Sequence, residues 1–187
     1  MQIPSEIRSE RVMIRPFRSV DLTPYLAFMT DPGATRYLML EPEQKTESGA
    51  KRLFDYVVQS YATDEPIWAL AIATETGGFI GSCGISPIEG TVFECYYSLL
   101  PVHWGHGYAT EATFALLNYL FTDTNITEIR AYMSPSNPNS AGVAQRTGMT
   151  DHGIRKHPGF GNEGLMYSIT KKQWQRRDDG NPNRKPG

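Results

Sequence analysis

Short runs of β-branched, aromatic and other apolar residues recur along the chain and predict strands. The first run is residues 11–17, where apolar residues are flanked by arginines, as expected of a strand with one solvated face. The later runs predict strands over 67–73, 79–85, 92–100, 128–133, 150–154 and 165–169. The runs 67–73 and 79–85 are separated by a short glycine-containing segment and are therefore expected to form a hairpin.

Other stretches repeat apolar residues at every third or fourth position, which indicates helices with one buried face. One helix is expected to begin after a cap at Ser19 or Asp21 and to end at the Asp-Pro-Gly sequence 31–33. The others are predicted over 46–62, 109–121 and 140–147. This order of elements predicts an α/β (α+β) fold with a mixed, mostly antiparallel central sheet and helices on both faces.

The chain is expected to form one domain. Its 187 residues contain 40% hydrophobic and 20% charged residues, which suits a single globular core. We assign the domain to residues 1–177, because no internal repeat or change in composition marks a linker. Residues 178–187 contain prolines and glycines but no large apolar residue, and are predicted to be a flexible tail.

Charge and hydropathy exclude several classes of partner. Lys and Arg number 18 and Asp and Glu 20, for a net charge of −2, and no dense basic run is present, so we expect no nucleic-acid partner. The longest apolar run, 67–73, is too short to cross a membrane, and the first thirty residues lack the apolar core of a secretory signal. We therefore expect a cytoplasmic protein without a membrane partner.

Cysteine and histidine residues do not indicate a metal site. His103 and His106 are three residues apart, but they flank a glycine turn, and no cysteine or carboxylate cluster completes a ligand set. No metal is therefore predicted. Cys83 and Cys95 both fall in predicted strands and are too few for a disulfide scaffold, so we expect two reduced thiols in the core.

A glycine turn at residues 104–109 carries the first functional signal. It follows a strand that ends before Pro101, and it leads directly into a predicted helix. Amide N–H groups at a helix start, together with the positive end of the helix dipole, favour an anion such as a phosphate. A Walker-type loop and a dinucleotide-binding turn both require different sequences or positions. Tight chain reversal without a ligand remains the alternative for this turn.

A second motif follows the turn by about thirty residues. Asn137 and Ser140 form an Asn-x-x-Ser sequence ahead of the Arg-Thr-Gly-Met sequence 146–149. Together with the turn, this motif resembles the GNAT superfamily of acetyl-CoA-dependent N-acetyltransferases, in which the turn is the pyrophosphate loop. The sequences of residues 97–112 and 10–16 are similar to those of the ribosomal-protein alanine acetyltransferase branch. The resemblance extends over residues 9–174.

The resemblance implies how acetyl-CoA would be bound. In the family, the pantetheine arm lies between two splayed parallel strands, which match residues 97–100 and 131–133 here. The amide of Leu99 would polarise the thioester carbonyl, and Asn137 and Ser140 would contact the arm, although Asn137 also suits a plain turn. The residues implied in binding the co-substrate are Leu99, Trp104, Gly105, His106, Gly107, Tyr108, Ala109, Asn137 and Ser140.

The resemblance also implies direct attack of an amine on the thioester. Glu94 lies where many family members carry a glutamate that acts through water, so it is the predicted base, with a solvated strand carboxylate as the alternative. Many members place a tyrosine in the short helix to protonate the leaving thiolate, but Ala144 occupies that position here. Ser140 or a water is the candidate for that proton. The glycine-rich segment 157–164 is expected to be a mobile loop over the acceptor.

The fraction of the amine that is neutral at pH 7 decides which acceptor is favoured. At pH 7 about one lysine side chain in two thousand is neutral, compared with roughly one α-amine in ten. We therefore predict that the acceptor is a protein or peptide N-terminus. A small amine such as a polyamine, an antibiotic or an amino sugar remains an alternative acceptor, and a non-catalytic CoA-binding sensor an alternative function. A homodimer is compatible with the sequence.

Overall fold

The computed structural model describes residues 1–179, and within them the chain forms eight strands and five α-helices. The strands are β1 (Ile7–Arg8), β2 (Val12–Arg15), β3 (Ala69–Thr74), β4 (Phe79–Glu89), β5 (Val92–Leu99), β6 (Glu128–Met133), β7 (Thr150–Lys156) and β8 (Glu163–Thr170). The helices are α1 (Leu22–Thr30), α2 (Glu47–Ser60), α3 (Tyr108–Asp123), α4 (Pro138–Arg146) and α5 (Lys171–Asp179). Most of the predicted tail, residues 180–187, lies outside the described residues.

Most predicted elements are present, and the differences have local causes. Strand β4 continues to Glu89, beyond the predicted end at residue 85, because the exposed Ser86 and Pro87 interrupt the apolar run before the partly exposed Ile88. Strand β1 has only two residues, too few for an alternating pattern to be recognised. Helix α5 was also not predicted, since Trp174 is its one buried residue among those whose side chains are described.

The sheet has the strand order β1-β2-β3-β4-β5-β6-β8-β7. Strands β3 and β4 are antiparallel, which confirms the predicted hairpin. Strands β5 and β6 form a parallel pair, with a ladder that joins Val92–Glu94 to residues 128–130. Strand β5 continues past this ladder to Leu99, and β6 continues to Met133. The mixed, mostly antiparallel sheet is therefore confirmed.

The chain packs as two compact units, and strands β4 and β5 and helix α3 each contribute to both. The first unit comprises Met1–Ser86 and Cys95–Leu116, and the second comprises Pro87–Glu94 and the described residues from Leu117 onward. Among the described residues, no helix is long and apolar enough to span a membrane.

Aromatic side chains form the core of the first unit. Phe17 packs edge-on against Tyr25 with ring centroids 5.2 Å apart, and Phe54 lies 5.2 Å from Tyr25. Phe28 and Phe79 complete the group, with centroids 6.0 Å apart. Helices α1 and α2 supply three of these rings and strand β4 one, so burial of the rings holds the two helices beside the sheet.

A buried ion pair lies next to this aromatic core. The guanidinium of Arg15 on β2 donates to both carboxylate oxygens of Asp21, over 2.6 and 2.9 Å, and also to the carbonyl of Gly77. Each charged side chain is at most 2% exposed. Asp21 also accepts from the amide of Arg18, so the carboxylate fixes the turn that begins helix α1.

The thiols of the first unit are buried as predicted. Cys83 is completely inaccessible and Cys95 is 3% exposed. Burial, and to a smaller extent the neighbouring Cys95, raises the pKa of the Cys83 thiol. Both cysteines therefore serve as small apolar core residues.

The second unit is built on strand β6, which alternates buried and partly exposed residues. Ile129, Ala131 and Met133 point into the core. Strand β8 pairs with β6 along its full length, and a side chain at Gly164 would place its Cβ 2.9 Å from the Met133 carbonyl oxygen. Glycine at this position therefore allows the two strands to approach at the end of β6.

Candidate functional site

The glycine turn adopts the backbone conformation that its sequence predicts. Gly105 and Gly107 have φ angles of 79° and 82°, a region that other residues adopt only with strain. Helix α3 begins immediately afterwards at Tyr108. Within residues 1–179, the amide N–H groups of residues 105–109 donate to no acceptor. The turn therefore presents a row of available donors at the positive end of a helix.

Trp104 fixes this turn to the end of strand β5. Its indole N–H donates to the carbonyl of Leu99 over 2.8 Å, while about half of the side chain remains exposed. The next amide, that of Leu100, donates to the carbonyl of Ile80 on β4. Successive amides of a strand point to opposite sides. The Leu99 N–H is therefore directed away from β4, where it is available to a ligand.

A second anchor, which the sequence analysis missed, joins the turn to the start of β2. Glu111 in the first turn of α3 accepts from the Ser9 hydroxyl, from the Arg11 amide and from the Arg11 guanidinium, over 2.6 to 2.8 Å. The same guanidinium donates to the carbonyl of His106 and lies over the Tyr108 ring. The Arg11–Glu111 pair therefore braces the turn from outside.

The environment of Glu111 favours its ionised form. Burial opposes ionisation, but the hydrogen bonds from the Arg11 amide, the Ser9 hydroxyl and the Arg11 side chain outweigh it and lower the pKa of this carboxyl. Glu111 therefore holds a negative charge at the start of α3, a position that the helix dipole also favours.

Asn137 and Ser140 lie together at the start of helix α4. The side-chain oxygen of Asn137 accepts from the amide of Ser140 over 3.2 Å, so Asn137 is the N-cap of the helix, and Pro138 follows at the first helical position. Both side chains are partly exposed. Ala144, two turns into the motif, is completely buried and brings no hydroxyl to its position.

Glu94 lies at the last rung of the parallel ladder and pairs with a residue that the sequence analysis did not identify as functional. Its Oε2 is 2.8 Å from Nε2 of His157, and the two side chains are 18% and 7% exposed. The partners are separated by 63 residues along the chain. Only their meeting in the fold could reveal this pair, since a histidine beside a glycine-rich segment carries no signal of its own.

His157 also fixes the conformation of the segment that follows it, through hydrogen bonds to the backbone of that segment. Its ring nitrogen Nδ1 accepts from the amides of Gly159 and Phe160, over 3.0 and 3.1 Å. Its own amide donates to the carbonyl of Asn162. The rings of Tyr132 and Phe160 pack against the imidazole with centroids 4.6 and 4.7 Å away. The first half of the segment that was expected to be mobile is thus organised around one buried side chain.

The predicted site residues therefore fall into three local groups. Leu99 and the turn 104–109 belong to the first unit, whereas Asn137 with Ser140, and Glu94 with His157, belong to the second. Their roles toward a ligand stay predictions. Among the residues that the structure describes, no group of three or more His, Cys, Asp or Glu side chains is placed to hold a metal ion.

Comparison with known proteins identifies the kind of domain. A family model described as the acetyltransferase (GNAT) domain matches residues 11–150. A relative from Bacillus licheniformis, named uncharacterized N-acetyltransferase p20, is 27% identical over 172 residues, which cover 89% of this chain and 96% of the relative.

Solved structures share the fold. One is a ribosomal-protein-S5-alanine acetyltransferase from Vibrio fischeri, with a TM-score of 0.71 and 18% identity over 90% of this chain and 98% of that chain. Another is a spermidine N-acetyltransferase from Vibrio cholerae in complex with CoA and spermine, with a TM-score of 0.72 and 18% identity over 88% of this chain and 98% of that chain. At this identity the likeness concerns the fold.

Proposed function

The chain belongs to the acetyltransferase (GNAT) domain family, and from this membership we propose that it transfers the acetyl group of acetyl-CoA to the α-amine at the N-terminus of a protein or peptide. That it is an acetyl-transferring enzyme, and that the family uses acetyl-CoA, follow from the membership itself. The acceptor and the roles of individual residues are the proposal. The observation that carries the catalytic part is the largely buried carboxylate of Glu94 on strand β5.

The glycine turn fits the diphosphate of the co-substrate. The available amides of residues 105–109 would hold it, because both glycines leave the backbone open to a ligand and the helix dipole favours its charge. The Leu99 N–H would donate to the thioester carbonyl and stabilise the charge that develops on its oxygen during attack. Asn137 and Ser140 would contact the pantetheine arm from the start of α4.

The chemical step requires a neutral amine. Glu94 would accept the amine proton, directly or through water, while a C–N bond forms at the acetyl carbon and the C–S bond breaks. The CoA thiolate leaves and takes a proton from the Ser140 hydroxyl or from water, since Ala144 supplies none. An α-amine is neutral in roughly one molecule in ten at pH 7, so one carboxylate base suffices, and this favours an N-terminal acceptor over lysine.

A panel of acceptors tests the substrate class. Release of CoA thiol is measured with a peptide that has a free N-terminus, with the same peptide blocked at its N-terminus but carrying a lysine, and with spermidine. We expect turnover of the free peptide alone, with the acetyl group located on the α-amine by mass spectrometry. Turnover of spermidine in place of the peptide would make the acceptor a small amine. Saturable CoA binding without turnover of any amine would support the sensor and refute the enzymatic proposal.

Glu94→Gln tests the base. The variant keeps the size of the side chain and an oxygen that can accept from His157. We expect kcat to fall about a hundredfold or more, most at low pH where little amine is neutral without help, while the dissociation constant of acetyl-CoA stays the same. An unchanged kcat across the pH range would remove Glu94 from the mechanism.

A further inference from the structure

We propose that His157 is a positioning residue for Glu94, fixed by its own loop as the neutral tautomer that carries its proton on Nε2. The inference rests on the proposed role of Glu94 as base and extends it to a residue outside the motifs. It follows from the hydrogen bonds on the two sides of one imidazole ring.

The backbone decides which ring nitrogen is protonated. Nδ1 of His157 lies 3.0 Å from the amide nitrogen of Gly159 and 3.1 Å from that of Phe160. Amide N–H groups only donate, so Nδ1 must offer its lone pair and cannot carry a proton. In a neutral imidazole the proton is then on Nε2, which lies 2.8 Å from Oε2 of Glu94. The histidine therefore donates to the carboxylate.

The surroundings keep the ring in this orientation. The imidazole is 7% exposed and contacts the rings of Tyr132 and Phe160. The amide of Gly161 returns to the carbonyl of His157 over 2.9 Å, and a φ of 74° at Gly161 permits this tight closure. Rotation of the ring would break both bonds to Nδ1. The ring thus acts as a rigid link between the loop backbone and Glu94.

This link orients the proposed base. Oε2 of Glu94 is occupied by the histidine donor, whereas Oε1 makes no hydrogen bond within residues 1–179. Oε1 is therefore the oxygen available to accept the amine proton. A displacement of about 1 Å at a catalytic group lowers the rate by up to about a hundredfold, so loss of the rigid support for the carboxylate should lower kcat measurably.

Two substitutions separate the two sides of the ring. His157→Gln places an amide nitrogen near the position of Nε2 and can still donate to Glu94. His157→Asn places its oxygen near the position of Nδ1 and can still accept from the loop amides, but it does not reach Glu94. We expect kcat of the Asn variant to fall about ten- to a hundredfold, with KM for acetyl-CoA within twofold, and kcat of the Gln variant to fall less than about threefold. Equal losses in the two variants, or an undiminished kcat in the Asn variant, would overturn the proposal.

A double substitution tests whether His157 acts through Glu94. In the Glu94→Gln background the base is already absent, so adding His157→Asn should lower the remaining kcat by less than twofold. Losses that multiply would show that His157 acts independently of Glu94. Thermal melting of each variant identifies effects that come from unfolding.

The tautomer is measured without turnover. In ¹⁵N NMR spectra of the full chain at pH 7, Nδ1 of His157 should resonate as an unprotonated nitrogen and Nε2 as a protonated one. A protonated Nδ1 would refute the inference even if the enzyme is active. Conversely, the spectrum can show the expected tautomer when no amine is acetylated, in which case the proposed function fails and the hydrogen-bonded link remains.

Discussion

The bracing of the glycine turn by Glu111 can be tested with Glu111→Gln. The carboxylate receives two sets of donors: the Ser9 hydroxyl and the Arg11 amide on Oε1, and the Arg11 guanidinium on Oε2. A glutamine oxygen can keep the first set. Its NH₂ group would then face the guanidinium, donor against donor, so both bonds between the side chains are lost.

The magnitude follows from these two bonds. A hydrogen bond to a charged group contributes about 1.5–3 kcal/mol, but the Arg11 side chain is 48% exposed and water replaces part of the loss. We therefore expect the free energy of unfolding to fall by about 2 kcal/mol, which corresponds to a decrease of about 4–8 °C in Tm for a chain of this size. KM for acetyl-CoA should rise several-fold, because Arg11 also holds the His106 carbonyl.

The effect should depend on pH with a definite sign. The pKa of Glu111 is lowered by folding, so its contribution to stability is present above the pKa of a free glutamate and is lost as the pH falls toward the folded value. Urea unfolding followed by circular dichroism should show a constant difference between the wild type and the variant from pH 8 to about 5, and a smaller difference below.

A matched control is Glu47→Gln, which removes a carboxylate from the first turn of α2, where the side chain is exposed. This change should cost less than about 1 kcal/mol. If Glu111→Gln is no more destabilising than the control, or if its effect grows at low pH, the brace does not stabilise the turn.

Two further predictions follow from the first unit. Asp21→Asn leaves the buried Arg15 guanidinium without its counter-charge and should lower the free energy of unfolding by about 3–5 kcal/mol, as measured by urea titration. Arg15→Met combined with Asp21→Leu should recover most of this loss, and an equally unstable double variant would contradict the prediction. Gly107→Val should raise the dissociation constant of acetyl-CoA, measured by calorimetry, at least about tenfold, because it strains a φ of 82° and narrows the approach to the amides. The control Gly90→Val, with similar strain at a φ of 52° in the β4–β5 turn, should leave binding unchanged, and equal affinities in the two variants would count against the turn as the diphosphate site.

Local sequence determined how much of the fold could be predicted. Strand β6 was predicted with its observed bounds because it alternates buried and exposed residues, and α2 because its buried residues recur at helical spacing. Helix α5 escaped detection because it is almost entirely polar and is held by Trp174, which packs on Phe121. Such an element is stabilised by one distant contact rather than by its own pattern.

In the candidate site, too, local features could be predicted from the sequence, whereas contacts between distant residues could not. The glycine turn is a local feature and was predicted from neighbouring residues, and so was the short helix after Asn137, although the N-cap role of Asn137 itself was not predicted. The partners of Glu94 and of Glu111 were not, because they lie 63 and about 100 positions away in the chain. Long-range pairs of this kind depend on strand order and loop closure, which one sequence does not reveal.

The burial of Cys83 and Cys95 has a practical consequence for an enzyme whose product is a thiol. A reagent that detects the CoA thiol released at each turnover would also react with accessible cysteine thiolates, and the folded chain offers none on its surface, because both of its cysteines are buried. A colorimetric thiol reagent added to the reaction should therefore count CoA alone. Any additional signal, up to two equivalents per chain, would report that the protein had unfolded.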